Sequence, residues 1–386
     1  MKVRYFILSA VFLFAVSCMQ KNVPGEYGTF PNSGGFEVLP YIEQETPPGM
    51  ILIEGGTFTL KTEGAPAEEK KMKSFYISSH EETNEQYMGY LTFMQKYYSK
   101  NTCLKCLPDT AVWLRENLAD SLKNYLMKTY LRSSCYRNYP VVGLTPAQIE
   151  KYLKWKTDRL NEMILIREGI LDFDTLAADS NHLFSTSEYF SGKFEGKVQN
   201  LIPRPDGTAR QVRMEDGILL PSFRLPEQEE WELAALAVGD KNHSYIITPA
   251  ESHYRKFDKK NYYGFLYVKN KPPKCSEAVQ NVPPMPVYST RKNNYFIYGM
   301  ADNVSELLQD GKDYCVMGGS WKSPYNDYAA VYNKTAPDSI KYTFPFKFKL
   351  SYKENFVSAA TGFRTAMDFA NGTVEKLSYK RRKAKK

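Results

Sequence analysis

Residues 223–235 read FRLPEQEEWELAA and carry most of the information about the fold. Proline favours the first turn of a helix, so the segment predicts a helix that begins at Pro226. The glutamates of its first turn match the positive end of the helix dipole. We expect Trp231 and the two alanines to face the core, and Gly239 to end the helix. An extended, arginine-bearing segment therefore leads directly into an acidic helix.

Both helices and strands are predicted outside this segment. Thr145-Pro-Ala-Gln148 has the form of a capping box and predicts a long helix. A second helix is predicted over residues 82–98, and a short strand over 75–78. Two apolar runs over residues 49–60 break at Gly55-Gly56, which predicts a hairpin. Short strands and long turns follow residue 239, so the fold class predicted is α+β and loop-rich.

Composition excludes several classes of protein. The chain has 386 residues with 42% hydrophobic residues, including 29 Tyr, 22 Phe and 4 Trp, which is enough for a sizeable core. Only four histidines are present and none are spaced as in HExxH, so a zinc protease motif is absent. Phosphate-binding GxxxxGK[ST], dinucleotide-binding GxGxxG and hydrolase GxSxG motifs are also missing.

The first 18 residues predict a lipoprotein signal peptide. Lys2 and Arg4 precede about a dozen apolar residues, too few to span a bilayer. Ala-Val-Ser-Cys18 resembles a lipobox, which makes Cys18 the expected lipidation site. An ordinary signal peptide cut nearby is the alternative. Residues 19–46 predict a tether, and we expect a lipid-anchored protein of the outer membrane that faces the periplasm.

The positive charge is concentrated at the C-terminal end. Removing Lys2 and Arg4 lowers the formal charge from +8 to +6. Residues 376–386 carry seven basic groups and no acid, so the rest of the chain sums to −1. The basic tail, residues 371–386, suits anionic lipid or an acidic partner, or is simply a solvated end. We expect no nucleic acid partner outside the cytoplasm.

Five cysteines follow Cys18, so at least one is free or pairs between chains. Cys103 and Cys106 form a CxxC pair, and Cys135 is the only candidate for a third zinc ligand near them. No second CxxC or His pair completes a zinc site. A local disulfide or unpaired buried thiols are favoured instead.

Seven segments in order resemble the formylglycine-generating-enzyme (sulfatase-modifying-factor) family, whose fold is related to C-type-lectin-like domains. They cover about residues 47–368 and predict a domain over 47–370 with an insertion at about 173–221. The segments are GMILIEGGTF (49–58), EETN (81–84), PVV (140–142), FRLPEQEEWELAA (223–235), YGMADNVSE (298–306), GGSW (318–321) and TGFR (361–364).

The resemblance implies structural roles for the motif residues. Arg224 and Arg364 are expected to be buried ion-pair partners rather than ligand-binding groups. Gly318 and Gly319 are expected to allow a close backbone approach beside a buried Trp321. Trp231 and Asn303 are the remaining structural motif positions.

The resemblance also implies what chemistry is missing. Family members that oxidise a cysteine hold copper with two cysteines between the GGSW and GFR segments, but residues 322–361 contain no Cys. Copper is therefore not expected, iron-binding histidines are absent after His253, and we expect no enzymatic activity. A family calcium site is partly retained in the Glu306 side chain and the backbone carbonyls of Asp302 and Val304, although Gly299 removes one side-chain oxygen. Otherwise Asn303 and Glu306 only hold the loop.

One subgroup fits best. Residues 155–171 and the insertion resemble the gliding-motility lipoproteins K and J of the type IX secretion system. Those proteins carry a catalytically silent domain of this fold, and the K type forms a periplasmic ring with a partner called N. The resemblance implies a non-catalytic, oligomeric scaffold that works through protein contacts. The alternatives are a copper-free enzyme that uses Cys315 and a ligand-binding module with aromatic loops, Tyr262, Tyr263, Tyr295 and Tyr325.

Overall fold

A computed structural model describes most of the folded part of the chain. The described residues are 44–60, 68–172, 183–194, 196, 202–203, 209–236, 284–289, 292–293, 295–300, 303–322, 348–350 and 356–370. The signal peptide with Cys18, nearly all of the tether, Gly239 and the basic tail lie outside them. None of the helices in the described part of the chain is long and apolar enough to cross a membrane.

Helices occupy mainly the first half of the described chain. Two of them begin with a capping box. The box of Thr145 with Gln148 was predicted from the sequence, and that of Thr83 with Gln86 was not. The helices are α1 (Asn84–Tyr97), α2 (Lys100–Leu104), α3 (Asp120–Thr129), α4 (Pro146–Arg167), α5 (Thr186–Phe190) and α6 (Gln228–Leu236).

The strands form two four-stranded sheets and two small two-stranded hairpins. The first sheet has the order β1 (Met50–Ile53), β4 (Phe75–Ser78), β12 (Ala366–Asp368), β7 (Phe223–Arg224). The second has the order β10 (Phe348–Leu350), β9 (Asp313–Met317), β8 (Ser305–Asp310), β11 (Thr361–Gly362). The hairpins are β2 (Gly56–Leu60) with β3 (Glu68–Met72), and β5 (Ile202–Pro203) with β6 (Ala209–Arg210).

The predicted hairpin at Gly55-Gly56 is wrong. Strand β1 pairs with β4, and β2 pairs with β3. The two apolar runs therefore pair with later strands and not with each other. Gly55 marks the junction, where a Cβ atom would lie 2.5 Å from the backbone of Lys73 and Ser74. Its N–H donates to the Ser74 hydroxyl at 2.9 Å. Glycine is needed here because two segments of the chain approach each other closely, not because the chain turns.

The start of α6 also differs from the prediction. The helix begins at Gln228, not at Pro226, because Glu227 forms an isolated β-bridge with Gln309. The Gln309 N–H donates to the Pro226 carbonyl at 2.9 Å, which keeps Pro226 in extended pairing. Helices α2 and α3 were not predicted, and both are short with few buried side chains.

The described part of the predicted insertion packs into the main core. Phe184, Tyr189, Leu219 and Leu220 are all at least 98% buried and belong to the cluster that also contains the face of α4. The cluster includes the rings of Tyr87, Tyr90 and Tyr152 between α1 and α4, which meet edge-on or at a tilt with centroids 5.2–5.7 Å apart. The insertion therefore completes the core.

Polar side chains of α4 hold the insertion in place. Asn161 donates to the Leu220 carbonyl at 3.0 Å and accepts from the Leu220 N–H at 2.9 Å. Asp158 accepts from the Thr186 N–H at 2.8 Å, and Arg159 donates to the Phe184 carbonyl at 2.6 Å. Buried backbone groups must be paired, and here side chains of one helix supply the partners.

Replacing Asn161 is therefore expected to destabilise the fold. Asn161→Ala leaves both backbone groups of Leu220 buried without their partner, and we expect a loss of about 2–3 kcal/mol in the free energy of unfolding. Denaturant titration measures it. Asn124→Ala is the control, because Asn124 lies exposed on α3 and bonds only to the carbonyl of Asp120. Equal stability of the two variants would contradict this role of Asn161.

Glu162, one residue after Asn161, is a buried carboxyl group. Its side chain is only 6% exposed and is paired with Arg159. Burial raises the pKa of Glu162 to about 7, and the Asp158 carboxylate adds to that rise while Arg159 opposes it. The folded protein therefore binds this proton more tightly than the unfolded chain does.

The stability of the fold is expected to decrease as the pH rises through the pKa of the Glu162 carboxyl group. The contribution of the protonated group is fully present below about pH 4.5 and is lost as the pH rises through about 7. One pKa unit corresponds to about 1.4 kcal/mol, so the loss reaches up to about 3 kcal/mol. Glu162→Gln should flatten the stability profile between these pH values, whereas Glu168→Gln, at the exposed end of α4, should keep the wild-type slope.

Candidate functional site

The motif residues meet at a buried ion pair between Arg364 and Glu306. Arg364 has 0% of its side chain exposed and Glu306 has 1%. The guanidinium donates from Nε to Glu306 Oε2 at 2.6 Å and from Nη2 to Oε1 at 2.5 Å. A planar guanidinium matches both carboxylate oxygens in this arrangement. The prediction that Arg364 is a buried ion-pair partner agrees with this geometry.

Further hydrogen bonds tie this ion pair to distant segments. Trp231 of α6 donates from Nε1 to Glu306 Oε2 at 2.7 Å. Arg364 donates to the Ser78 carbonyl at 3.1 Å and to the Tyr298 carbonyl at 2.8 Å. Four segments, around residues 78, 231, 298–306 and 364, therefore meet at one guanidinium–carboxylate pair.

Arg364, Glu306 and Trp231 form the first part of a buried polar centre, and Glu81 with Asn303 forms the second part. Asn303 is 1% exposed, and its Nδ2 donates to Glu81 Oε1 at 3.1 Å while its Oδ1 accepts from the Met285 N–H at 2.8 Å. Asn303 has a φ of +68°, a conformation that asparagine tolerates better than most residues. Gly299, with a φ of +66°, lies against the Glu81 carboxyl group, where a Cβ atom would collide with it.

Gly318 lies against the ring of Trp231. It has a φ of +80°, and a Cβ atom would lie 3.1 Å from the Trp231 ring and from the Met300 carbonyl. Trp321 is half-buried rather than buried: it stacks on Trp113 with ring centroids 6.2 Å apart and donates from Nε1 to the Ala359 carbonyl at 3.1 Å.

Arg224 joins β7 to α6 and β12. It forms a two-point hydrogen bond to Glu230, both N···O distances being 2.7 Å, and a second ion pair with Asp368 at 2.5 Å. Glu230 Oε2 also accepts from the Glu227 N–H at 2.9 Å, which caps the start of α6. The predicted ion pairing of Arg224 agrees with this geometry, although its side chain is 29% exposed and so is less buried than that of Arg364.

Glu306 does not fit the predicted calcium role. Both of its carboxylate oxygens accept hydrogen bonds from Arg364 or Trp231, so a cation would have to displace the guanidinium and overcome its positive charge. Val304 is 1% exposed in an apolar cluster, and Asp302 lies outside the described residues. Of the two roles stated for Glu306, the geometry favours holding the loop.

The cysteines do not form a metal centre within the described part of the chain. Cys103, Cys106 and Cys315 form no disulfide, whereas Cys135 is disulfide-bonded and so is no third zinc ligand. Cys315 lies on β9 with 0% exposure, packed in the cluster around Trp231, so substrate would not reach its sulfur. No group of three His, Cys, Asp or Glu side chains is placed to bind a metal among the described residues. Residues 325–330 with Tyr328, where the family's copper ligands are expected, lie outside them.

A second buried cluster surrounds Glu82. The carboxylate pairs with Lys156 and accepts from the Tyr152 hydroxyl at 2.6 Å and the Thr365 hydroxyl at 3.3 Å. Burial opposes the charge on Glu82, but Lys156 and these hydrogen bonds outweigh it, and the pKa of Glu82 lies below its usual range. Burial lowers the pKa of His80, so this imidazole is neutral. The contacts of Glu82 with Lys156 and Tyr152 join the EETN motif to α4.

The α+β fold and the motif around Arg364 define a class of protein, and comparison with known protein families identifies that class. Residues 35–369 match the sulfatase-modifying factor enzyme 1-like domain, and the chain belongs to that family. This confirms the formylglycine-generating-enzyme fold that the motif order predicts.

Solved structures of this kind resemble the chain at low sequence identity. CarF is 16% identical with a TM-score of 0.38, and the alignment covers 83% of this chain and 98% of CarF. Variable protein 1 of Treponema denticola is 15% identical (TM-score 0.38, 83% and 94% covered), and PvdO of Pseudomonas aeruginosa is 14% identical (TM-score 0.39, 83% and 94% covered). No curated protein matches the chain.

Several residues of the centre were not predicted from the sequence. Glu81 and Glu82 begin the EETN motif, and their adjacent acidic side chains were a signal that burial would need basic or amide partners. Lys156 and Tyr152 lie one helical turn apart on α4, but nothing in their spacing indicates Glu82 as the partner. The cysteine spacing favoured a local disulfide or unpaired thiols, but it did not indicate that Cys135 is the disulfide-bonded cysteine.

Removing the guanidinium from the centre is expected to be strongly destabilising. Arg364→Met leaves Glu306 charged and buried without its counterion, and we expect a loss of about 3–5 kcal/mol in the free energy of unfolding. Arg167→Met is the matched control, because Arg167 pairs with Glu45 at the surface and should contribute less than about 1 kcal/mol. Chemical denaturation compares the two, and an Arg364→Met variant as stable as the control would contradict the structural role of the ion pair.

Proposed function

We propose that the chain is a non-catalytic outer-membrane lipoprotein of the type IX secretion and gliding-motility machinery. In this proposal Cys18 carries the lipid, and the folded domain faces the periplasm as a scaffold or ring component. It acts through contacts with other subunits, including the periplasmic partner N. The sequence similarity to lipoproteins K and J over residues 155–171 and the insertion supports this particular subgroup.

The observation that carries the non-catalytic part is the closed network of the motif residues. Arg364, Glu306 and Trp231 bond to one another, and Asn303 bonds to Glu81, so these groups hold the fold together. Residues 322–361 also contain no cysteine for a cuprous ion, which needs soft thiolate ligands. The motif residues that hold the fold are thus present, whereas the cysteines that would bind copper are absent.

The surface formed by α4 and the insertion is the proposed partner interface. A groove of about 660 Å³ lies between them, lined by Lys154 on α4 and by Ser187, Phe190 and Met214 from the insertion. Phe190 is 39% exposed, which leaves a large apolar ring at the edge of the groove. Aromatic side chains that are partly exposed at a groove are frequent anchors of protein interfaces.

The test uses point variants rather than deletion of the insertion. Deletion would remove Phe184, Tyr189 and Leu220 from the core and unfold the domain. Phe190→Asp places a charge at the groove and leaves the buried side chains intact. Phe296→Asp is the control, because Phe296 is 61% exposed and lies on a different segment.

Pull-down from native outer membranes in mild detergent gives the answer. With a tag placed before residue 371, wild type and Phe296→Asp should recover type IX secretion components, identified by mass spectrometry. Phe190→Asp should lose most of them while its thermal unfolding stays unchanged. Recovery of the wild-type protein alone would refute the scaffold role. Equal recovery with Phe190→Asp would refute the interface while leaving the scaffold role standing.

A further inference from the structure

Two free thiols lie together where α2 packs on α1. Cys103 is half-buried in α2, and Cys106 is 3% exposed on the turn that follows. The Cys106 N–H donates to the Cys103 carbonyl at 3.0 Å, which closes a four-residue turn. Such a turn brings its first and last Cα atoms within about 7 Å. Disulfides span Cα separations of about 4.4–6.8 Å, so the backbone is close to the geometry of a linked pair.

Both sulfur atoms face the same side of α1. The Cys103 thiol donates to the Met94 carbonyl at 3.2 Å, and the Cys106 sulfur lies 3.2 Å from the Tyr90 hydroxyl. Tyr90 and Met94 are four residues apart, one helical turn, and both are buried. Both thiols thus contact the same face of α1, one helical turn apart.

The chain already contains a disulfide at Cys135. Structural disulfides persist in oxidising compartments and are rare where thiols are kept reduced. A CxxC dithiol in the same chain therefore meets the same oxidants. Cys315 does not share this situation, because it is a single thiol with 0% exposure.

We infer that Cys103 and Cys106 are a reversible oxidation site that forms an internal disulfide by exchange with a disulfide donor, such as an oxidised dithiol oxidoreductase. The thiolate of Cys103, the more exposed of the two, attacks one donor sulfur and releases the other as a thiolate. The thiolate of Cys106 then attacks the Cys103 sulfur of this mixed disulfide and releases the second donor thiolate. The pair loses two electrons and two protons, and the donor is reduced to a dithiol.

Oxidation changes the contact between α2 and α1 but keeps its anchor. Both S–H donors disappear, so the Met94 carbonyl loses its bond from Cys103 and Tyr90 loses a thiol partner. The Tyr87 hydroxyl still donates to the Cys106 carbonyl, at 2.8 Å in the reduced form, because that bond uses the backbone. The loop closed is very short, so the disulfide adds little to global stability, and the redox partner decides its state.

The experiment is a thiol–disulfide titration of the folded chain. The protein is equilibrated with reduced and oxidised glutathione at varied ratios, quenched with acid, alkylated and digested with trypsin. Trypsin cleaves after Lys105, between the two cysteines, so an internal disulfide appears as a linked pair of peptides. We expect at least about half of the chains to be linked at a roughly tenfold excess of oxidised glutathione, and full reversal by excess reduced glutathione.

The variants separate this site from adventitious thiol oxidation. Cys106→Ser should stop at a glutathione adduct on Cys103, whereas Cys315→Ser should form the linked pair as the wild type does. Free alkylation of both cysteines at every ratio would overturn the inference, and so would a wild-type chain that stops at the mixed disulfide. Stoichiometric zinc that protects both thiols until a chelator removes it would also overturn it, in favour of a metal site.

Discussion

The buried pair of Arg364 and Glu306 is the constraint on which the rest of the structure depends. Two charges withdrawn from water are tolerated only when they meet each other and their remaining hydrogen-bonding groups find partners. Here those partners are Trp231 and the carbonyls of Ser78 and Tyr298. The geometry of the pair therefore fixes where α6, β4, β8 and the chain after β11 lie relative to one another.

This polar centre explains how a loop-rich chain keeps a defined fold. Its described strands have two to six residues, too short to specify their partners by regular pairing alone. The centre and the network around Arg224 supply that specificity, while three apolar clusters supply the burial. Groups that hold the fold in this way already have their hydrogen-bond partners within the protein, so we place the proposed partner interface on a surface beside the motif. The groove of α4 and the insertion is such a surface, and the dithiol beside α1 is a separate site.

Local features were predictable because neighbouring residues determine them. The capping box of Thr145 and Gln148 forms as its spacing predicts, and α4 follows it. The acidic first turn of α6 is present, but its start moved to Gln228 because Gln309 pairs with the chain before it. Gly55 was correctly identified as a special position and wrongly assigned to a turn, because the chain that it approaches lies about 20 residues away. The ion pairing of Arg364 was expected from the family resemblance, whereas its partner was not.

The sequence by itself determined the family, through the order of its motifs, and it contains no cysteine between residues 322 and 361. It also determined the helices that have strong caps, since a capping box needs only residues three positions apart. The tertiary structure alone decided which partner each buried charge takes, because Glu306 lies 58 residues from Arg364 and Glu82 lies 74 from Lys156. Pairing of this kind is selected by burial and geometry in the assembled core, and neither property is encoded in local spacing.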